Sequence, residues 1–343
     1  MNSTTIPPTS YPDHPIFHAH PFYYSNERSL IPIFPDPLLT VLAPIPAYWL
    51  TSGLFHLFDV SNWTWLERYR IHDSAEVASR NRATRRQVLG AVLFQQVVQT
   101  VLGLLWISEE SERADHVAAM RGIARVLSSP SFLFGAPAAL VGDASPGLAY
   151  LLHWWFIPAA QLILAMYVVP PSLISPFFFP TRLYTELKKN LVGRMVLDTW
   201  QYFLHRGMHL NKFLFKHLHS VHHRLYVPYA FGALYNHPVE GFLLDSLGAA
   251  LAEAVAQLSV RQAMLFFVIS TCKTVDDHCG YRLPFDPFQI LSGNTADYHD
   301  IHHQIVGIKS NFSQPWFIHW DVILGTRMTR QEIEERRAKS KTL

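Results

Sequence analysis

The chain has 343 residues and 39.3 kDa; it is 49% hydrophobic and 13% aromatic, and Asp, Glu, Lys and Arg make up only 16%. Soluble domains carry roughly 25% of these charged residues, so there is too little charge here to cover a globule of this size in water. A net charge of +2 without a basic stripe gives no electrostatic footprint for nucleic acid, and the two cysteines, Cys272 and Cys279, exclude a disulfide scaffold or Cys-rich zinc module and read as free thiols.

Residues 1–36 form a proline-rich lead-in, and the absence of Lys and Arg before Arg28 excludes the basic start of a secretory signal. Three stretches, 37–58, 87–107 and 147–170, contain no Asp, Glu, Lys or Arg. Each approaches or exceeds the roughly 20 residues that cross a bilayer core. A fourth, 239–275, is long enough for a tight helical hairpin but contains Glu240, Asp245, Glu253 and Arg261, which make full spanning costly. The expected fold is all-α: an integral membrane protein with four or more embedded helices and a cytosolic, histidine-rich di-metal cap. The expected divisions are a transmembrane region over 37–189, a catalytic region over 190–328 and a charged tail over 329–343.

Residues 66–86 hold six arginines (Arg68, Arg70, Arg80, Arg82, Arg85, Arg86), whereas 109–147 is acid-rich with three. The positive-inside rule therefore places the first loop and the segment after the third span in the cytosol. The ending Lys339-Ser340-Lys341-Thr342-Leu343 resembles a dilysine signal for retrieval to the endoplasmic reticulum, which is read from the same face. On this topology the sequons at Asn62 and Asn311 are expected to stay unglycosylated. No two of the sixteen glycines form a G-x-G pair, so no nucleotide fingerprint is present.

Histidine is the exceptional residue: there are nineteen, twelve of them between positions 205 and 319. His205 and His209 form H-x3-H, while His219, His222, His223 and His299, His302, His303 each form H-x2-H-H. On a helix, positions three and four apart return to the starting face, so each cluster is expected to turn its imidazoles toward a shared site. Eight nitrogen ligands exceed the four of one tetrahedral zinc and imply two metals. H-E-x-x-H is absent, which argues against a zinc peptidase, and imidazole alone does not choose among iron, copper and zinc. His237 and His278, at the two ends of the proposed hairpin, are added as further candidate ligands. Asp198, Glu240, Asp276, Asp277, Asp297 and Asp300 are candidates to orient the rings. His217 and His319 complete no cluster and read as structural, as do the scattered His14, His18, His20, His56, His72, His116 and His153.

At this point the chain resembles the fatty acid hydroxylase and sterol desaturase superfamily of membrane di-iron oxygenases. The strings DTWQYFLHRGMHLNKFLFKHLHSVHHRLYVPYAFGALYNHPVEGFLLD and TADYHDIHHQIVGIKSNFSQPWFIHWDVILGTRM are similar to its fungal sphingolipid C4-hydroxylase branch, and the likeness covers roughly 190–328. The resemblance implies that the eight clustered histidines are catalytic iron ligands. It implies two irons per chain and O2-dependent hydroxylation at C4 of sphinganine or dihydroceramide, giving phytosphingosine-type bases. With no nucleotide or haem segment of its own, the chain would take electrons from NAD(P)H through cytochrome b5 and its reductase. The lipid tail would lie among the apolar helices of an endoplasmic reticulum protein whose site and C-terminus face the cytosol. Two alternatives stand beside it: a sterol C5-desaturase or C4-methyl sterol oxidase of the same superfamily, and a non-enzymatic membrane protein that binds or transports metal.

Overall fold

Prolines and side-chain caps set where the helices begin. Pro37 occupies the first turn of α1 (Asp36–Leu42) and Pro44 opens α2 (Pro44–Ser61), positions where a missing N–H costs no helical bond. The computed structural model describes residues 12–21, 29–61, 63–106, 116–128, 138–156 and 181–341. Among them there is no strand, only two isolated bridges, Ile31 to Phe34 and Arg70 to Tyr281. The elements that build the histidine region are α3 (Arg85–Trp106), α4 (Thr181–Leu210), α5 (Leu247–Ala256), α6 (Val260–Asp277) and α7 (Ala296–His303).

The chain divides into two units, residues 1–30 with 111–191 and residues 31–110 with 192–343. In the first, the helix His116–Leu127 packs on Ala138–Leu151 around Phe17, Met120, Ile123, Ala149 and Trp154. Asp13 and Arg121 pair at 2.8 Å there, and the rings of His116 and His153 meet at 3.0 Å.

The second unit holds two helical stretches long and apolar enough to cross a membrane, Asp36–Ser61 and Arg85–Trp106. Their polarity is inverted relative to a water-soluble core. On α3, Gln95 and Gln96 are buried, and Gln96 accepts from Trp49 Nε1 at 3.0 Å, while Leu93, Phe94, Val97, Val101 and Leu105 point outward. Leu50 on α2 and Leu105 on α3 are 75% and 80% exposed, a surface suited to lipid rather than water. Of the expected span at 147–170, residues 157–170 lie outside the described residues, as do Asn62 and the last two residues of the dilysine ending.

The expected hairpin at 239–275 is a helix–turn–helix. Its first arm runs from Pro238 through a widened turn at Phe242–Ser246 into α5, and Gln257 ends α5 in the left-handed conformation, φ 51°. Ser259 and Gln262 form a capping box that starts α6. Both arms pack on α4, with Ala252 and Phe266 meeting Leu197. α6 also lies along α1 and α2, where Thr40 Oγ1 donates to the Val260 carbonyl at 3.1 Å and Arg261 pairs with Asp36 at 2.5 Å. Gly241 lets the first arm reach α3, since a Cβ there would stand 1.6 Å from Gln95 Nε2.

The segment between α2 and α3 is tied to the histidine-rich region that follows α4. Ile71 N–H donates to the Gly280 carbonyl at 2.9 Å, Arg82 N–H to that of Arg224 at 2.8 Å, and the Asn81 side chain bonds both backbone groups of Val227. His72 Nε2 meets Asp300 on α7 at 2.8 Å. Arg70, in the arginine-rich stretch, is an internal fastener: it pairs with Asp59 and Glu67 at 2.9 Å each and lies over the Tyr281 ring.

Candidate metal centre

Two histidines four apart on the last turns of α4, His205 and His209, share one face. The chain then reverses at Asn211, whose side chain caps the short helix Lys212–Leu214 by accepting from Phe213 N–H and Leu214 N–H at 2.9 and 3.1 Å. A widened turn follows, closed by Ser220 N–H donating to the Phe215 carbonyl at 2.7 Å, and it swings His219 back toward α4. α7, capped by Thr295, carries the last three histidines and is buried along nearly its whole length.

Nine imidazoles converge in two groups. His205, His209, His219, His223 and His302 form one; His222, His278, His299 and His303 form the other; all nine are at least nine-tenths buried. In the first, His219 Nε2 stands 3.0 Å from His205 Nε2, 2.7 Å from His209 Nε2 and 3.0 Å from His223 Nε2. In the second, His299 Nε2 is 3.0 Å from the Nε2 atoms of both His278 and His303.

The opposite ring edges decide which nitrogens carry protons. His205 Nδ1 donates to the Phe312 carbonyl at 2.8 Å, His302 Nδ1 to Ser310 at 2.7 Å, His303 Nδ1 to Leu225 at 2.8 Å, His278 Nδ1 to Thr274 at 2.8 Å and His222 Nδ1 to Tyr235 at 3.2 Å. His219 Nδ1 donates to Glu240 Oε1 at 2.5 Å. A carbonyl only accepts, so the five carbonyl-bonded rings keep their proton on Nδ1 and, when neutral, turn a bare Nε2 lone pair inward, and an ionised Glu240 holds His219 the same way. Burial disfavours the imidazolium: His222 is pushed down to about 4, His278 and His302 to about 3, and the remaining six are lowered as well.

Lone pairs facing one another at 3 Å repel unless a cation lies between them. Ligand nitrogens 2.0–2.1 Å from one ion stand about 2.8–3.4 Å apart, close to the 2.7–3.2 Å between Nε2 atoms in the first group and the 3.0–3.5 Å in the second. His302 Nε2 is buried without any hydrogen-bond partner, another donor aimed at an ion. The donor set thus fits two imidazole-held transition-metal ions, and the carbonyls and Glu240 fix ring orientation as outer partners of metal ligands do.

The structure corrects how the clusters are used. The triplets do not each serve one site: His219 and His223 go to the first group and His222 to the second, while His299 and His303 go to the second and His302 to the first. Residues at i+3 and i+4 lie 100° apart around a helix, so the i+4 ring follows the i position while the i+3 ring is splayed to the other side and reaches the neighbouring group. His237 joins neither group, because its Nδ1 accepts from Val239 N–H at 3.2 Å and caps the helix that Pro238 opens. Of the six carboxylates expected to orient rings, Glu240 alone touches a clustered imidazole among the described residues. Asp198 accepts from the backbone N–H of Trp316 and Phe317, Asp276 from Gln289, and Asp277 pairs with Lys273. Asp297 pairs with Arg282 and Arg330, and Asp300 with His72 and Arg330.

Asp321 was not among the expected residues, yet it holds the loop that supplies two of the carbonyls. Fully buried, it accepts from Phe312 N–H at 3.1 Å, Ser313 N–H at 2.7 Å, Tyr298 Oη at 2.7 Å and Thr326 Oγ1 at 2.6 Å. Beside it, Asn311 adopts φ 55° and is 0% exposed, with its amide donating to the Tyr298 and Met328 carbonyls at 3.0 Å each and accepting from Met328 N–H at 2.7 Å. The folded chain therefore closes the Asn311 sequon to a glycan: endoglycosidase treatment is expected to leave the electrophoretic mobility of an Asn62→Gln variant unchanged, and a shift would show Asn311 exposed during maturation.

An apolar groove of about 250 Å³ runs between α1, α3, α5 and α6, lined by residues such as Val41, Leu102, Trp106, Ala249 and Phe267. A polar vestibule of about 30 Å³ lies against His219, His222, His278 and His299. The two cavities share Gln201, Asp245, Thr274 and Pro315 as lining residues. An apolar chain in the groove can thus present a carbon to the imidazole groups.

Residues 190–326 match the fatty acid hydroxylase family. The chain is 41% identical to the sphingolipid C4-hydroxylase of Saccharomyces cerevisiae over 92% of its length and 79% of that protein, and 41% identical to sphinganine C4-monooxygenase 1 of Arabidopsis thaliana over 85% and 88%. A very-long-chain aldehyde decarbonylase of Oryza sativa is 39% identical over 85% of the chain and 89% of its own. Methylsterol monooxygenase 2-2 of Arabidopsis thaliana is 30% identical over 51% of the chain and 66% of its own. No solved structure matches the chain.

Proposed function

This chain belongs to the fatty acid hydroxylase family, and on that premise we propose that it hydroxylates C4 of sphinganine or dihydroceramide to give phytosphingosine-type long-chain bases. The observation that carries this reading is the pair of converging imidazole groups at the end of an apolar groove. An unactivated C–H bond offers neither an acidic proton nor a leaving group, so an acid–base pair cannot open it. Two irons held by these histidines would supply redox activation of O2. One oxygen atom enters the C–H bond and the other leaves as water, consuming two electrons and two protons.

The roles of the protein groups follow from their positions. His205, His209, His219, His223 and His302 would hold one ion and His222, His278, His299 and His303 the other, and the Nδ1 protons stay on the rings, held by their carbonyl or carboxylate acceptors. Burial excludes bulk water, and the groove fixes which carbon of the chain reaches the site. The electrons come from a separate protein; cytochrome b5 with its NAD(P)H reductase is the proposed donor.

We place the protein in the endoplasmic reticulum membrane as a multi-pass chain with its site and C-terminus in the cytosol. The contacts of the arginine-rich 66–86 loop with Asp300, Gly280 and Arg224 support placing that loop and the histidines on one side. The positive-inside rule makes that side cytosolic.

The test is a long-chain-base profile by mass spectrometry of yeast lacking its own C4-hydroxylase, carrying this gene intact or as His302→Ala. Phytosphingosine is expected from the intact gene alone. Its absence from a well-expressed intact protein, with sterols altered instead, would move the substrate to the sterol class.

A further inference from the structure

Among the aspartates near the groove and the centre, buried or half-buried, most have their charge accounted for, and Asp276, whose Oδ2 has no partner, lines neither cavity. Asp36 faces Arg261, Asp277 faces Lys273, Asp300 faces His72 and Arg330, and Asp198 and Asp321 accept from backbone N–H groups. Asp245 differs. Its carboxylate has a single hydrogen bond, from Gln99 Nε2 at 3.4 Å, and no cationic partner within 4.0 Å among the described residues. It lines both the apolar groove and the vestibule. In the same vestibule Glu240, 1% exposed, offers Oε2 without any partner. Carboxylate oxygens left unpaired beside an apolar cavity are costly unless a ligand supplies the positive charge or the donors.

We infer that Asp245 is the specificity-determining residue for the free ammonium of a long-chain base. This rests on the C4-hydroxylase reading given above. When C4 lies against the imidazole groups, the C2 nitrogen is three bonds away and falls within the vestibule, where Asp245 and Glu240 Oε2 accept from the ammonium and its neighbouring hydroxyls. The tail then runs down the groove. On α3 the groove-lining residues extend from Gln96 to Trp106, ten residues or about 15 Å of helix. At about 1.25 Å of advance per C–C bond that accommodates roughly a dozen methylenes. The other carboxylate of the groove, Glu253, cannot take this role: it stands eight residues further along the same arm, about 12 Å away, too far to hold a nitrogen three bonds from the reacting carbon. An N-acyl substrate has no charge for Asp245 to accept, so this carboxylate favours the free base over its amide.

The experiment compares full-length wild type, Asp245→Asn, Asp245→Glu and Glu253→Gln in membranes with sphinganine and with N-acetylsphinganine, reading KM and kcat for each along with iron per chain. Asp245→Asn is expected to raise KM for sphinganine about tenfold or more and to leave that for N-acetylsphinganine within about twofold, at unchanged iron. Asp245→Glu is expected to restore most of the preference for sphinganine. Equal effects on both substrates, no effect, loss of iron, or the split appearing in Glu253→Gln instead would overturn the assignment. Should wild type hydroxylate neither substrate at C4, it is the underlying function that fails, a result separate from every variant outcome.

Discussion

His222→Ala and His302→Ala are each expected to lower hydroxylation by more than about a hundredfold, while the protein still inserts in membranes at wild-type level. Loss of an outer partner of a metal ligand already costs 10–100-fold, and these residues supply inward lone pairs themselves. Because His222 belongs to one group and His302 to the other, each variant is expected to lose iron chiefly from a different centre, bringing the content from two toward one per chain. Neither side chain anchors the apolar packing, so insertion is spared. His217→Ala is the matched comparison: that ring is exposed and rests on Phe213, with centroids 4.6 Å apart, and its removal is expected to keep activity within about twofold. Metal analysis and turnover on the same purified samples check all three. Activity of His222→Ala or His302→Ala within tenfold of wild type would remove that residue from the centre, and loss of iron in His217→Ala would enlarge the ligand set.

Asp321→Asn is expected to be nearly as damaging through a different route. Each carboxylate oxygen accepts two hydrogen bonds, and an amide would turn an NH2 toward two donors in a fully buried place. The cost is about 3 kcal/mol or more, a large part of the 5–15 kcal/mol that holds a typical domain. The loop also carries the Ser310 and Phe312 carbonyls that orient His302 and His205. The variant is therefore expected to show both a lower unfolding temperature and a loss of metal that excess iron partly restores. A lower unfolding temperature with metal affinity unchanged would make Asp321 a purely structural residue.

The convergence of the clustered imidazoles was legible because their geometry is local: four-residue spacing needs no knowledge of the fold. The sorting of His222 and His302 into opposite groups was hidden, since it depends on how the short helices around 215–224 and α7 are rotated against α4. His237 and His278 carried the same signal, a histidine at a hairpin end. Pro238 held the clue that separates them, because a proline after a polar residue is a helix start and makes His237 a cap. The carbonyls of Leu225, Thr274, Tyr235, Ser310 and Phe312 belong to backbone that any side chain could carry, so nothing in residue type announces them. The first apolar spans were readable from composition, while the inward glutamines of α3 emerge only when its neighbours are in place.

α7 places adjacent residues, His302 and His303, in different centres. The pitch of a single helical turn therefore acts as a ruler shared by both ions. Their separation cannot be adjusted by moving one half of the site against the other, because sliding or rotating this helix shifts both together. A lipid that pushes on α7 would retune the pair as one object, and substitutions that change which lipid is accepted are expected in the groove and vestibule, leaving the helix that sets the spacing untouched.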